Sequence, residues 1–350
     1  LSQKNPNSSG INKNWKPPQE TGAEDAVDYF INGIKNNNRT ILSEALTLIE
    51  STTKDPAFIL QLLDGVYTTS KTTLRIGISG SPGAGKSTFI NALGEHLVGL
   101  GKKVAVLTVD PSSEITKGSI LGDKTRMYNL IQNPHVYIRP TPSSNFLGGV
   151  ASTTKESILL CEAAGYDIIL IETVGVGQSE TLVKNMVDLF CLILLPGAGD
   201  ELQGIKKGIV EMSDIFIINK ADGDRELLAK ESKKFYKNAI HLGSAFANVD
   251  KEVLTCSSTE QIGFTKIWKT ITTIRQHRKD NNSFDDNRAK QNQNWLRQKK
   301  EAIKVQHLKG LLEDISTQDD EKNEQMFKSL IDFNTEIKAK ITQLKNQLKN

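Results

Sequence analysis

The sequence predicts an α/β protein built on a doubly wound, mainly parallel sheet, with a small helical subdomain before it and a helical arm after it. Three observations carry that prediction. Between residues 74 and 275, seven short apolar runs alternate with helical segments. The first run leads through a glycine-rich loop straight into a helix. Helical periodicity flanks this region on both sides.

Residues 1–20 are rich in Asn, Ser, Pro and Lys, and an unfolded lead-in is expected over 1–22. From Asp25 the pattern turns helical, with Val27, Phe30, Ile31 and Ile34 at i, i+3, i+4 and i+7. RTILSEALTLIES and PAFILQLLDGVY continue as two more amphipathic helices, giving a subdomain over 23–73. The main domain, 74–278, holds LRIGIS, KVAVLTV, HVYIRP, DIILIE, LFCLILL, DIFIIN and EVLTC. Each run is β-branched or Leu-rich and apolar throughout rather than alternating, as strands covered on both faces are. After Arg275 the composition shifts to QHRKDNNSFDDNRAKQNQN, which reads as a polar joint to two long polar helices over 279–350. The first of these carries Trp295, Ala302, Val305 and Leu312. The second carries Phe327, Leu330, Asn334, Ile337, Ile341, Leu344 and Leu348 at alternating steps of three and four. That is a heptad seam with one core Asn, the device that fixes register and partner number. It predicts an arm that pairs with a second copy, a homodimer, with a hairpin folded back on the main domain as the alternative.

Bulk properties narrow the class. Net charge is +3, too small to argue for a nucleic-acid or membrane partner. The cysteines Cys161, Cys191 and Cys256 are odd in number and far apart, which fits a reducing compartment and not a disulfide framework or zinc ribbon. LFCLILL, the longest apolar run, has the length of a buried strand. The first twenty residues lack the apolar core of a secretory signal, so a cytoplasmic protein is expected.

GSPGAGKS at 80–87 fits the phosphate-loop pattern GxxxxGK[ST], placed after a strand and opening a helix, and marks a P-loop NTPase. Gly80, Gly83 and Gly85 let backbone wrap an anion, with Ser81, Pro82 and Ala84 completing the loop and Thr88 in the first helical turn. Lys86 is expected to reach the β- and γ-phosphates, and Ser87 to ligate Mg²⁺. INKAD at 218–222 supplies Asn219, Lys220 and Asp222 in the NKxD pattern. A carboxylate at Asp222 accepts from both the ring N–H and the exocyclic amine of guanine, whereas adenine offers it neither donor. Ser257 and Ser258 in LTCSST are placed to give backbone donors to the guanine oxygen. The expected ligands are GTP and GDP. Three acids complete the site: Asp110 ending KVAVLTVD, Glu172 ending IILIE, and Asp123 in SILGDKTRM. Asp110 and Glu172 suit Mg²⁺, directly or through its waters, and Asp123 suits completing that ring or orienting water. Gly175 is placed to sense the γ-phosphate through its N–H. Gln178 stands three residues beyond it and is given no water-orienting role.

VDPSSEITKGSILGDKTRM, RPTPSSNFLGGVA, ETVGVGQSE, LLPGAGDELQGIKKGI and NKAD, in this order, resemble the methylmalonyl-CoA mutase-associated GTPases, the MeaB/ArgK family. The resemblance covers about residues 25–275 closely and the C-terminal arm in architecture. It implies a homodimeric GTPase, slow alone and stimulated by the adenosylcobalamin-dependent methylmalonyl-CoA mutase, which gates cofactor delivery to that mutase and protects it. It also implies that Ser87, Asp110, Asp123 and Glu172 surround Mg²⁺ and the γ-phosphate. The segment GAGDELQGIKKGI is implied to be a further switch, with Asp200 and Lys206 its charged contacts. Read locally, that segment is a glycine-hinged loop opening a helix, and a purely structural role is the alternative. Lys117, Asn145 and Ser258 depart from the family's usual Gly, Gly and Ala. A metallochaperone, a kinase acting on a transport protein, and a dimer with a dead nucleotide site are the competing readings. Scattered histidines disfavour the first, NKAD and the switch-like glycines the second, and intact Lys86, Ser87, Asp110 and Glu172 the third.

Overall fold

The structure is a computed structural model that describes residues 23–51, 56–67, 72–110, 127–142, 147–173, 179–197, 207–242 and 251–312. Three helices come first: α1 (Ala23–Lys35), α2 (Arg39–Glu50) and α3 (Pro56–Val66). Then follow β1 (Leu74–Gly80), α4 (Lys86–Gly99), β2 (Val104–Asp110), the single turn α5 (Tyr128–Ile131), β3 (Val136–Pro142) and α6 (Leu147–Ala163). Next come β4 (Ile168–Thr173), α7 (Ser179–Lys184), β5 (Leu189–Leu194), α8 (Lys207–Met212) and β6 (Ile215–Ile218). A 3₁₀ turn (Gly223–Arg225), α9 (Glu226–Leu242), β7 (Glu252–Thr255), α10 (Phe264–Asp280) and α11 (Ser283–Leu312) complete the order. All seven apolar runs are strands, and the three amphipathic segments before them are helices.

The strands form one parallel sheet in the order β3-β2-β4-β1-β5-β6-β7. Continuous apolar runs are required because the sheet is covered on both faces. Along β2, Ala105, Leu107 and Val109 enter one core with the N-terminal helices, while Val104 and Val106 enter the other with α4 and α10. Ile169 and Ile171 of β4 divide from Ile168 and Leu170 in the same way. The period-two alternation of the pleat thus serves two apolar layers.

The helical subdomain is joined to the first of these layers through Phe30, Ile34, Leu46 and Leu62, packed with Ile158 and Leu160 of α6. Asn38 caps α2, its side chain accepting from the N–H of Thr40 at 3.0 Å and of Ile41 at 3.3 Å. From α2, Glu50 pairs with Arg139 and Ser43 shares a 3.1 Å hydrogen bond with the Tyr137 hydroxyl, so the subdomain covers edge strand β3.

The stretch after Arg275 is not an extended joint. It is helix on both sides of Asn281–Asn282, where the chain turns through a left-handed Asn282 at φ 63°. The Asn281 side chain caps α11, accepting from the Ser283 N–H at 3.0 Å. The polar residues read as linker are anchors. Arg288 donates to Asp188 at 2.8 and 2.7 Å and to the Thr73 carbonyl at 2.6 Å. Arg278 pairs with Asp214, as does Lys184 at 2.9 Å. Gln291 donates to the Val187 carbonyl at 2.8 Å. Composition alone does not separate a solvated charge from a buried paired one. The chain divides into two compact units after Gln291, within α11. In the second unit residues 292–312 are helical, and the heptad from Phe327 to Leu348 lies outside the described residues.

Arg75 forks onto Glu162 with two bonds of 2.7 Å, and its backbone N–H reaches Asp188 at 2.8 Å. Beside this network the Lys155 amine is buried without a hydrogen-bond acceptor among the described residues. Burial first, then the Arg75 guanidinium, hold its pKa down to about 7, with Arg288 acting in the same direction and Glu162 and Asp188 against it. An unfolded lysine titrates near 10.4, so between about pH 7 and 10.4 the unfolded chain holds a proton that the folded chain does not. The penalty is therefore complete below pH 7 and fades as pH rises. Lys155→Met is expected to stabilise the protein at pH 7, the gain shrinking by up to about 1.4 kcal/mol per pH unit toward pH 10. Denaturant melts of both proteins at pH 7, 8 and 9 check this, and a pH-independent difference contradicts it.

Candidate functional site

The carboxyl ends of the strands carry the motifs to one edge, where ligands of open parallel sheets sit. β1 lies between β4 and β5, so its C-terminal loop is flanked by the ends of both. Gly80 leaves the strand beside Ile193, so close that an added Cβ would stand 2.4 Å from the Ile193 carbonyl oxygen. The loop's apex, Pro82 and Gly83, is exposed. Gly85, at φ 85°, precedes α4, and no side chain caps that helix. The backbone N–H groups of the first turn are thus directed into the loop, as an anion site requires. Lys86 folds over the same loop, its Nζ donating to the carbonyls of Gly80 at 2.8 Å and Ser81 at 3.2 Å. Thr88 follows in the first turn, half-buried.

Ser87 and Glu172 are both buried, and the Ser87 hydroxyl donates to Glu172 Oε1 at 3.0 Å. The sheet register explains the meeting: Glu172 stands opposite Ile78 on one side and Thr108 on the other. Asp110 ends β2 opposite Pro142. The structure thus brings Glu172 to Ser87 and the Asp110 backbone to the same edge. The Asp110 side chain, Asp123, Gly175, Asp200 and Lys206 lie outside the described residues. Among the described residues no three His, Cys, Asp or Glu side chains group as a metal site. The pair that does meet, a hydroxyl and a carboxylate, is a hard-oxygen donor set of the kind Mg²⁺ takes.

The Asn-Lys-x-Asp motif is built from β6 and β7. Asn219 follows β6, its N–H bonded to the Leu194 carbonyl at 2.9 Å. Its side chain bridges two loops. Nδ2 donates to the Ala84 carbonyl at 2.9 Å, while Oδ1 accepts from the Ser258 N–H at 3.2 Å, the Ser258 hydroxyl at 2.7 Å and the Cys256 thiol at 3.5 Å. Lys220 turns through φ 57°. Asp222 accepts from the hydroxyls of Ser257 and, at 3.3 Å, Thr259. Ser257 therefore acts through its side chain. Its N–H is taken by the Ile262 carbonyl at 3.1 Å and is not available as the backbone donor expected from the sequence. Thr259 had no signal beyond its hydroxyl. A further tie, Gln261 Nε2 to Glu95 Oε2 at 2.5 Å, joins this loop to α4 across 166 residues of chain, with no local pattern to announce it. Burial pushes the Cys256 thiol up to about 12, so it stays protonated near neutrality.

This fold, with a phosphate loop after its central strand and an Asn-Lys-x-Asp turn two strands away, defines a nucleotide-binding protein of the P-loop type. Residues 42–311 match the family model described as methylmalonyl-CoA mutase-associated GTPase MeaB, and the chain belongs to that family. It is 45% identical over 280 residues to GTPase ArgK of Escherichia coli (strain K12), covering 79% of this chain and 85% of that protein. It is 44% identical over 282 residues to the mitochondrial methylmalonic aciduria type A homolog of Mus musculus, covering 77% and 68%. A solved structure titled LAO/AO transport system kinase superposes with a TM-score of 0.68 at 32% identity, covering 93% of this chain and 99% of that one. The chain is a GTPase. No helix among the described residues is long and apolar enough to cross a membrane.

Lys86→Ala is expected to abolish GTP hydrolysis while leaving the melting temperature near the wild-type value, because the side chain lies over a loop and not in the core. Turnover unchanged in that variant sinks the site assignment.

Proposed function

We propose that this chain binds GTP and Mg²⁺ in the crevice at the carboxyl edge of the sheet and reports its hydrolysis to methylmalonyl-CoA mutase. The observation that carries the proposal is the Asn219 amide, which holds the phosphate loop and the base-reading loop against each other at 2.9 and 2.7 Å. One ligand spanning both loops needs phosphates at one end and a guanine at the other.

In this reading Gly80 to Thr88 cradle the phosphate chain. Lys86 exchanges its hold on the Gly80 and Ser81 carbonyls for the β- and γ-phosphate oxygens. Ser87, Glu172, Asp110 and Asp123 hold Mg²⁺, which supplies charge neutralisation at the phosphates when bound. Asp222, oriented by Ser257 and Thr259, accepts from guanine, and Ser258 and Lys220 flank the base. Gly175 senses the γ-phosphate. GAGDELQGIKKGI, through Asp200 and Lys206, carries the state of the nucleotide to the mutase, so that hydrolysis gates adenosylcobalamin loading and protects or restores the mutase. The family description and the methylmalonic aciduria type A relatives support the mutase as partner. The Phe327–Leu348 heptad supports a homodimer. The cysteines are free and buried, which supports a cytoplasmic setting.

Asp222→Asn is expected to lose at least tenfold of the preference for GTP over ATP in a competition assay, because the amide presents a donor to the guanine amine. Retained preference removes the base-reading assignment. With purified components, light scattering should give a dimer and added methylmalonyl-CoA mutase should raise GTP turnover severalfold. A monomer discards the arm, and a turnover indifferent to the mutase discards the partner.

A further inference from the structure

In the base-reading loop two donors of one residue converge on one acceptor. Asn219 Oδ1 takes both the Ser258 N–H at 3.2 Å and the Ser258 hydroxyl at 2.7 Å. The Cys256 thiol, a weak donor, stands at 3.5 Å. All three residues are buried. An amide oxygen has two lone pairs, so this acceptor is crowded. The other half of the Asn219 amide is committed to the Ala84 carbonyl at 2.9 Å, which fixes the plane of the group. The longer of the two Ser258 bonds is therefore redundant: if the N–H turns elsewhere, the hydroxyl still satisfies Asn219. Ser257 has no such spare donor, since its N–H and carbonyl are both used in the paired bonds to Ile262, at 3.1 and 3.0 Å.

We infer that the Ser258 hydroxyl is a specificity-setting group: it keeps Asn219 bonded so that the Ser258 N–H can be released to the 6-oxo oxygen of guanine. The inference rests on the proposed reading of the base by Asn219, Lys220 and Asp222. A residue without the hydroxyl leaves one N–H to serve two acceptors, the Asn219 oxygen and the guanine oxygen. Whichever goes without forfeits about one hydrogen bond, a five- to tenfold loss in affinity. A purine with no 6-oxo group makes no such demand, so the hydroxyl is of no consequence to its binding. The discrimination comes from the chain's own acceptor being satisfied in advance, which is how a buried polar site rejects a ligand lacking the matching group.

The test uses the full chain and equilibrium binding of two ligands, GDP and the diphosphate of 2-aminopurine riboside, which keeps the exocyclic amine and lacks the 6-oxo group. Wild type is expected to prefer GDP. Ser258→Ala should lose about five- to tenfold for GDP and less than twofold for the 2-aminopurine nucleotide. Ser258→Thr, which restores a hydroxyl at the same position, should stay within about twofold of wild type for both. A general loosening of the loop would weaken the two ligands alike, so an equal loss for both overturns the inference, as does an unchanged GDP affinity or a Thr variant as weak as the Ala one. Failure of the underlying base reading has a different signature: wild type itself would bind the two ligands equally.

Discussion

The nucleotide edge of this molecule depends on one buried amide. Asn219 donates to the phosphate loop at Ala84 and accepts from the loop after β7 at Ser258, and both bonds are shielded from water. A parallel sheet makes such a bridge possible because it delivers successive strand ends to one edge. Backbone bonds continue the tie: the Cys256 N–H to the Ile218 carbonyl and the Ala221 N–H to the Cys256 carbonyl, each 2.9 Å. Replacing the amide with an apolar group would strand the Ala84 carbonyl and the Ser258 hydroxyl in a dry environment, where an unsatisfied polar group costs about 1–3 kcal/mol. An added Cβ at Gly85 would lie 2.7 Å from Asn219 Nδ2, so the glycine and the asparagine require each other.

That bridge stands between two halves of the crevice. On the β5–β7 side, the loops after β6 and β7 are bonded to each other, to the phosphate loop through Asn219 and Ala84, and to α4 through the Gln261–Glu95 contact. On the β2–β4 side, the described contact between loop and acid is the bond from Ser87 to Glu172. Bonded groups of this kind suit recognition, which gains from groups already in place. The other half carries the Glu172 carboxylate on a strand end beside Ser87.

How much of this was legible before the fold is explained by the range of each interaction. The phosphate loop, NKAD and the strand runs are contiguous patterns, so where Gly80 to Thr88, Asn219 and Asp222 fall, at the carboxyl ends of strands, could be anticipated from spacing along a few residues. Glu172 was readable as an acid at a strand end, and the register that sets it beside Ser87 follows once β1 and β4 are neighbours. Contacts between distant residues of unremarkable type were not readable. Gln261 with Glu95 and Arg288 with Asp188 are ordinary polar residues until the fold buries or pairs them. The run after Arg275 misled because its composition matches a linker, while its register places Phe284, Arg288 and Gln291 on one buried helical face. Ser257 was misassigned for a related reason: a sequence marks the residue and not which of its two donors the turn consumes.

The ion pairs at the opposite edge of the sheet connect these themes. Asp188 and Asp214 stand just before β5 and β6, and each carries a backbone N–H of the sheet as well as a cation from the C-terminal helices. Arg288 and Arg278 thus grip the amino ends of strands whose carboxyl ends lead to Gly197 and Asn219. Breaking the Arg288 pair would leave Asp188 buried without its closest cation, which is far costlier than losing a surface pair, whereas Asp214 would keep Lys184 if Arg278 were lost. Burial alone would raise the Asp214 pKa, but the Lys184 and Arg278 cations outweigh it and hold the carboxyl below the usual range, so these contacts persist across the neutral range of pH. α10 and the start of α11 are therefore tied to the amino ends of β5 and β6 by buried ion pairs.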